Sequence, residues 1–312
     1  MNIQPYPVCL FFFNRPELVN AALNALSDSS KNFNIHLYIF VDGPRNDSDK
    51  ELVKKTIDRI NEYDFINFKV VNIKKNQLNN GLAKSVIFGV NKVIKKYGKV
   101  IVVEDDLEVS KNFIPFMIDS LNKYKDKKNV GSISGFTFAI KPKSKEDAYF
   151  HPRPNSWGWA TWEDRWAMVN WDVDNNYLKK IMYSKKSFNR LGEDMDRMLQ
   201  GYLSKRIDSW AIRWALCHWN LNWVALSPYK SKIINNGFGD NSATNTIVKN
   251  NFFVNLDKSN YDYPFNLPCE IEIIPRNLKI VNKYNSNLIR LIQKYSPSRF
   301  WNYTCKIIYY YY

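Results

Sequence analysis

The chain has 312 residues, 45% of them hydrophobic, and carries 45 Lys and Arg against 30 Asp and Glu, a formal net charge of +15. That length and apolar content exclude a disordered or fibrous class and allow one large domain or two modest ones. The charge favours an anionic partner without choosing among nucleic acid, an anionic membrane and a phosphorylated substrate, and lysines spread in pairs such as Lys54-Lys55 and Lys127-Lys128 do not form a specific nucleic-acid footprint.

From the N-terminus, PVCLFFF reads as a first strand rather than a signal peptide, because no basic segment precedes it and Asn14-Arg15 follow directly. PELVNAALNAL is helical in pattern. The alternation continues with IHLYIFVD and DKELVKKTIDRI, FKVVNI and LAKSVIFGVNKVIKKY, KVIVVEDD and a helix near Lys111 to Tyr124, then VGSISG. Strands alternating with helices predict parallel βαβ units, hence an α/β fold with a doubly wound, mostly parallel sheet. In the third helix Leu82, Val86, Val90, Val93, Ile94 and Tyr97 recur near the helical period. Ligands bind such sheets beyond the carboxyl ends of the strands, where Asn14-Arg15, Asp42-Gly43 and Glu104-Asp105-Asp106 fall.

The pattern changes from Ala148. Nine of the ten tryptophans lie between Trp157 and Trp223, beginning with SWGWATWEDRW, while Pro264, Pro268 and Pro275 punctuate a polar stretch beyond Asn250. The expected division is a nucleotide-sugar-binding half at 1–147, a Trp-rich acceptor and base lobe at 148–250, and a linker with a peripheral tail at 251–312. Cys9, Cys217, Cys269 and Cys305 form no CxxC pair, which fits a reducing cytoplasm. No apolar run approaches the ~18 residues that span a bilayer.

Three consecutive acids at the mouth of an apolar strand repel one another unless a cation neutralises them. Mn2+ or Mg2+ takes hard oxygen ligands, needs only one or two protein carboxylates, and leaves positions for water and phosphate. The plainer alternative is a helix start, whose dipole Glu108 and Ser110 suit, but it does not require three preceding acids.

The EDD after its strand, together with CLFFFNRPELVNAAL, IFVDGPRND, NNGLAKS, SWGWATWEDRW and DSWAIRW, resembles a bacterial nucleotide-sugar glycosyltransferase of GT-A fold. It is similar to enzymes related to the alpha-mannoside N-acetylglucosaminyltransferases, whose DXD-type motif is also written EDD. The resemblance spans about Pro5 to Thr246. It implies Asp106 as the direct metal ligand, Glu104 and Asp105 at the ribose or donor sugar, Asp42 at the nucleobase, and Arg15 near the nucleotide or diphosphate. Lys84 is a further diphosphate candidate, and a solvated lysine is its ordinary alternative. Asp42 equally fits an Asp-Gly turn.

An inverting transfer needs a carboxylate that takes the acceptor proton. Asp208, before a helical segment, resembles the catalytic acid of that superfamily, although the animal relatives have two adjacent acids where this chain has Asp208-Ser209. Asp194 in GEDMDRML is the second candidate. Trp157, Trp159, Glu163 and Asp164 are candidate acceptor contacts, since a sugar's C–H face packs on a ring and its hydroxyls need polar partners. Asp240, in NNGFGDNSATN, is a candidate lid residue. The three histidines, His36, His151 and His218, read mainly as structural.

The expectation is an inverting, metal-dependent transferase that moves a sugar from a nucleotide diphosphate donor, UDP-linked by resemblance, to a glycan hydroxyl. The resemblance implies bacterial surface-polysaccharide synthesis, and the expected location is cytoplasmic. The basic, aromatic C-terminus equally fits an ordinary packed tail or a peripheral contact that holds the protein at the inner face of the cytoplasmic membrane near a lipid-linked acceptor. Two rivals stand beside this reading. A non-enzymatic binder of polysaccharide or nucleic acid leaves EDD unexplained, and a nucleotidyltransferase expects a glycine-rich phosphate loop that FFFNRPELV lacks.

Overall fold

The computed structural model of the protein describes residues 4–142, 145–174, 176–237, 254–260 and 264–289. Strands β1 (Tyr6–Phe12), β2 (Ile35–Val41), β3 (Val70–Lys75) and β4 (Lys99–Glu104) alternate with helices α1 (Pro16–Ser30), α2 (Asp47–Glu62) and α3 (Leu82–Tyr97). Local chemistry sets the helix ends. Pro16 opens α1 with its φ already fixed, and the Asn46 side chain accepts the backbone N–H of Asp49 to cap α2. Gly98 stops α3 in the left-handed conformation, at φ 70°, and its N–H donates to the Ile94 carbonyl.

The chain continues through β5 (Leu107–Val109), α4 (Phe113–Tyr124), β6 (Val130–Ser134), β7 (Ala148–His151), β8 (Trp159–Trp162) and α5 (Glu163–Trp166). Helices α6 (Asn176–Tyr183), α7 (Lys185–Phe188), α8 (Asp194–Leu203) and α9 (Trp210–Asn220) follow, then β9 (Val224–Pro228), β10 (Ile233–Asn235) and α10 (Pro275–Tyr284). The main sheet has eight strands in the order β3-β2-β1-β4-β8-β6-β9-β7. Strands β1 to β4 are mutually parallel, as are β6 and β9, whereas β8 and β7 run against their neighbours.

Both faces of the sheet are covered, which is why β1 reads as a continuous apolar run rather than an alternating one. Val8, Leu10 and Phe12 of β1 pack with Leu23 and Leu26 of α1 and with α4, while Cys9 and Phe11 face α3 and α9 on the other side. The second face carries an indole stack: the Trp159 ring lies 5.0 Å from Trp210, 5.3 Å from Trp166 and 6.2 Å from Trp214.

The expected division at Ala148 does not separate two cores. Strands β7, β8 and β9, all beyond that point, enter the same sheet, and β8 pairs directly with β4. Part of the expected peripheral tail is also core. Phe265 and Leu267 join the α1 and α4 face, and Val281 and Tyr284 of α10 are buried beside Phe138. The residues assigned to membrane contact, from Arg290 onward, and Asp240 lie outside the described residues. No helix of the described residues is long and apolar enough to cross a membrane.

Candidate active site

The loops that leave β1, β2, β3 and β4 are stitched together by side chains at the carboxyl edge of the sheet. Asn14, after β1, donates to Asp49 Oδ1 at the start of α2 (2.6 Å), and Arg45 Nε donates to Asp49 Oδ2 (2.7 Å). Donation from Arg45, aided by Asn14, holds the Asp49 carboxyl down at about 2 against the effect of burial. Asp42, at the end of β2, accepts the backbone N–H of Gly43 (3.0 Å), the Asn76 side chain (3.2 Å), and the N–H groups of Asn80 and Gly81 (3.0 Å each). Asp42 thus fastens the 76–81 loop to the end of β2, and no turn forms at Asp42-Gly43. A carboxylate offers about four lone-pair sites, so a nucleobase N–H would have to displace one of these donors.

The acidic loop after β4 is the centre of the arrangement. The Arg15 guanidinium forks onto Asp105, with its Nη2 on Oδ1 and its Nε 3.3 Å from Oδ2, and its Nη1 reaches Asp106 Oδ2 at 3.2 Å. Burial opposes the Arg15 charge, but Asp105 and Asp106 outweigh it and raise the Arg15 pKa. One arginine does not balance three acids. Burial first, then Asp106 and Asp105, push Glu104 up to about 8, and burial pushes Asp105 up to about 7 despite the pull of Arg15. Charge of this kind in a largely dehydrated loop marks functional sites more often than structural ones.

The antiparallel pair of β5 and β10 supports this loop from behind, with Asn235 opposite Leu107. The Asp106 carbonyl accepts the N–H of Asn236 (2.8 Å), and a Cβ on Gly237 would fall 2.4 Å from Asp106 Oδ2. Only glycine leaves that carboxylate its space. Asn14 was named from the sequence only as part of the Asn14-Arg15 cluster, with no role of its own, and Gly237 was not among the candidates; its signal was its place near Asp240 in NNGFGDN.

The oxygen-only donors of the loop fit a hard divalent cation. Among the described residues no three His, Cys, Asp or Glu side chains converge as a ready ligand set. A magnesium or manganese site needs fewer, because phosphate and water complete its shell. Asp106 would hold such an ion, with Glu104 and Asp105 contributing charge.

Asp208 belongs to the same edge by the direction of α9. Trp210 stacks on Trp159, which lies opposite Val102 of β4, and eight residues later His218 packs on Gly131 at the amino end of β6. Helix α9 therefore runs from the carboxyl edge to the amino edge, and its start, with Asp208 two residues ahead of Trp210, is on the side of the acidic loop. Ser209 caps the helix by accepting from Ile212 N–H (3.4 Å), which leaves Asp208 free of the capping role. The Asp208 side chain is 57% exposed and bonded to Arg213 Nη2 at 3.1 Å. Lys84 is exposed in the first turn of α3, at the same edge.

Three expectations are corrected. Asp194 is buried and gives both oxygens to Arg153, at 2.7 and 3.0 Å, so it anchors α8 to the segment after β7 instead of offering a free base. Trp159 has no exposed surface, because its position on β8 points it into the stack under α9. Glu163 and Asp164 lie at the wrong edge: β8 is antiparallel to β4, with Trp162 opposite Lys99, so the chain leaves β8 at the amino end of the sheet. There Asp164 pairs with Lys128 (2.5 Å) and Arg165 (2.8 Å). Trp157 remains half-buried at the carboxyl edge, edge-on to Phe136 at 4.7 Å. His151 bonds Ser227 and is fully buried, a structural histidine.

The sequence model described as Glycosyl transferase family 2 matches residues 8–192, more than half of the chain and every strand from β1 to β8 except the first two residues of β1. The chain belongs to glycosyl transferase family 2. Its mostly parallel eight-stranded sheet is consistent with the GT-A fold. Among solved structures, "Mannosyltransferase PcManGT from Pyrobaculum calidifontis in complex with GDP-Man and Mn2+" aligns over 52% of this chain and 46% of its own, at 10% identity and a TM-score of 0.34. S. aureus TarS aligns over 46% of this chain and 25% of its own, at 17% identity and a TM-score of 0.29. The chain thus spans less than half the length of either neighbour. No curated protein sequence matches it.

Proposed function

We propose that this family 2 member is an inverting, divalent-cation-dependent transferase that moves a sugar from a nucleotide diphosphate donor, UDP-linked, to a hydroxyl of a glycan in surface-polysaccharide synthesis. The observation that carries the reading is the loop Glu104-Asp105-Asp106, held by a single arginine at the carboxyl edge of the sheet, the edge at which α9 begins just after Asp208. A bound Mn2+ or Mg2+ would neutralise charge that develops on the departing diphosphate.

The chain's own groups do the rest. Arg15 sits where a diphosphate oxygen can exchange for one of its carboxylate partners, and Lys84 adds a second cation at that edge. Asp106 holds the cation, while Glu104 and Asp105 meet the ribose or donor sugar. Asp208 takes the proton of the acceptor hydroxyl as that oxygen attacks the anomeric carbon. The bond from that carbon to the diphosphate oxygen breaks, its electron pair leaves with the nucleotide, and the sugar passes through an oxocarbenium-like state with inversion. Trp157 offers a ring face for the acceptor.

Calorimetric titration of the purified protein with UDP, GDP and dTDP, with and without Mn2+, tests the reading. The expected result is tightest binding of UDP, at least tenfold stronger with the cation. Nucleotide binding that ignores Mn2+ overturns the cation dependence, and preference for GDP or dTDP overturns the donor assignment.

A further inference from the structure

From Phe65 to Val103 the sequence contains eight lysines and no Asp or Glu. Apart from its last residues, which enter the central strand β4, that run builds the edge strand β3, the 76–81 loop and α3, and so extends from one margin of the sheet onto the face that α3 covers. Its outer surface is not only basic. Leu78 is 77% exposed and Phe88 49%, whereas the inner face of α3 buries Val86, Val90, Val93 and Ile94 against the sheet.

The geometry of α3 orders these groups. Lys84, Phe88, Lys92 and Lys95 are exposed and spaced by four, four and three residues, a single stripe on the solvent side. The register of β2 with β3 puts Lys74 opposite Phe40, on the same face as α3, and the Lys74 ammonium lies 3.8 Å from the centre of the Phe88 ring. Leu78 extends this exposed surface to the carboxyl edge, in the loop that Asp42 fastens.

We infer that this margin docks on an anionic lipid bilayer, with the lysines at the headgroups and Leu78 and Phe88 at the acyl boundary. Charge complementarity selects an anionic surface, because no acid interrupts the lysines. The interleaved apolar side chains select a bilayer over a soluble polyanion, which gains nothing from burying them. Docked this way, the enzyme would hold the carboxyl edge of the sheet next to the membrane. The contact is separate from the one assigned above to the C-terminal segment.

Co-sedimentation of the full-length protein with vesicles tests the inference, since it reads lipid binding and not transfer. Wild type should bind vesicles containing phosphatidylglycerol, release in raised salt, and ignore pure phosphatidylcholine. Each lysine near the surface is worth about 1 kcal/mol, so Lys92→Gln with Lys95→Gln should lower partition roughly 30-fold. Leu78→Ser with Phe88→Ser should lower it at least about fivefold while retention on soluble dextran sulfate is unchanged. All four positions are exposed, and an unchanged melting temperature confirms folding. Absence of vesicle binding by wild type overturns the proposal. So does equal vesicle binding by the Leu78 and Phe88 variant, which would make the margin a polyanion surface, or by the lysine variant, which would move the contact elsewhere.

Discussion

The two edges of the sheet hold acids of similar appearance and treat them in opposite ways. At the carboxyl edge, Asp105 and Asp106 share one arginine beside Glu104, and burial lifts Glu104 and Asp105 toward neutral pH. At the amino edge, Asp164 has both Lys128 and Arg165 as partners and is pulled below the ordinary carboxylate range despite partial burial. Both runs follow an apolar strand that ends in acids. What differs is strand direction: β4 is parallel to its sheet and β8 is not, so one run opens onto the crevice where ligands bind and the other closes a surface ion pair. Charge left unbalanced by the protein, rather than charge as such, separates a site from a solvated corner.

The largest effect should follow from removing the acid nearest the unbalanced centre. Asp106→Asn is expected to lower transfer by about 10⁴-fold, in keeping with several kcal/mol of lost charge stabilisation, and to abolish any enhancement of nucleotide binding by Mn2+. Steady-state turnover and calorimetry check both parts. A variant that keeps cation-enhanced binding would detach the ion from Asp106.

Asp208→Asn should cost less and split the observables differently. Loss of a general base costs on the order of 10²–10⁴-fold in kcat, whereas nucleotide affinity with Mn2+ should stay within about twofold, because Asp208 faces the acceptor. Near-normal turnover would remove Asp208 from the chemistry. Weakened nucleotide binding would instead place it on the donor side.

The edges should also answer pH with opposite signs. At the amino end, His218 packs on Gly131 and His151 pairs across from Ala225 at the start of β9, and burial first, then nearby positive charge, lowers both to about 3. Their folded pKa values lie below the unfolded value near 6.5, so the neutral rings are accommodated at pH 7. That contribution is complete above the unfolded value and is lost as pH falls toward 3, at about 1.4 kcal/mol per pH unit for each histidine. Glu104 and Asp105 work the other way. Their raised values favour the fold below the ordinary carboxylate range, and that contribution disappears as pH rises through 7 to 8. Denaturant titrations of wild type and His151→Gln between pH 4 and 6.5 should differ in slope by about one proton; parallel curves would show that His151 does not resist protonation.

Much of this contrast was legible in the sequence because the first half obeys local rules. The stripe at Val86, Val90, Val93 and Ile94 gave α3 its inner face. The acids at the end of KVIVVEDD announced the crevice because a parallel strand was already implied. The second half was less readable, for a physical reason. Strand β8 is four residues, WATW, whose partner strands lie dozens of residues away, and nothing local states that it runs against β4. That one fact decides where Glu163 and Asp164 go and turns Trp159 inward. The same holds for Asp194, whose partner Arg153 is 41 residues upstream. Gly237 needed the pairing of β10 with β5, a contact across more than a hundred residues, before its closeness to Asp106 had meaning.

The smallest expected effect falls on the acid that the sequence made look functional. Asp164 is half-exposed, and an exposed ion pair contributes about 0.2–1 kcal/mol, part of which is lost to salt screening. Arg165 would keep its bonds to the backbone carbonyls of Lys125 (2.8 Å) and Lys127 (3.1 Å), so its guanidinium would not be stranded when Asp164 is neutralised. Asp164→Asn should therefore shift stability by less than about 1 kcal/mol and leave kcat/KM for the acceptor unchanged within twofold. A rise in the KM for acceptor would return Asp164 to the site, and with it the claim that strand direction separates the two edges.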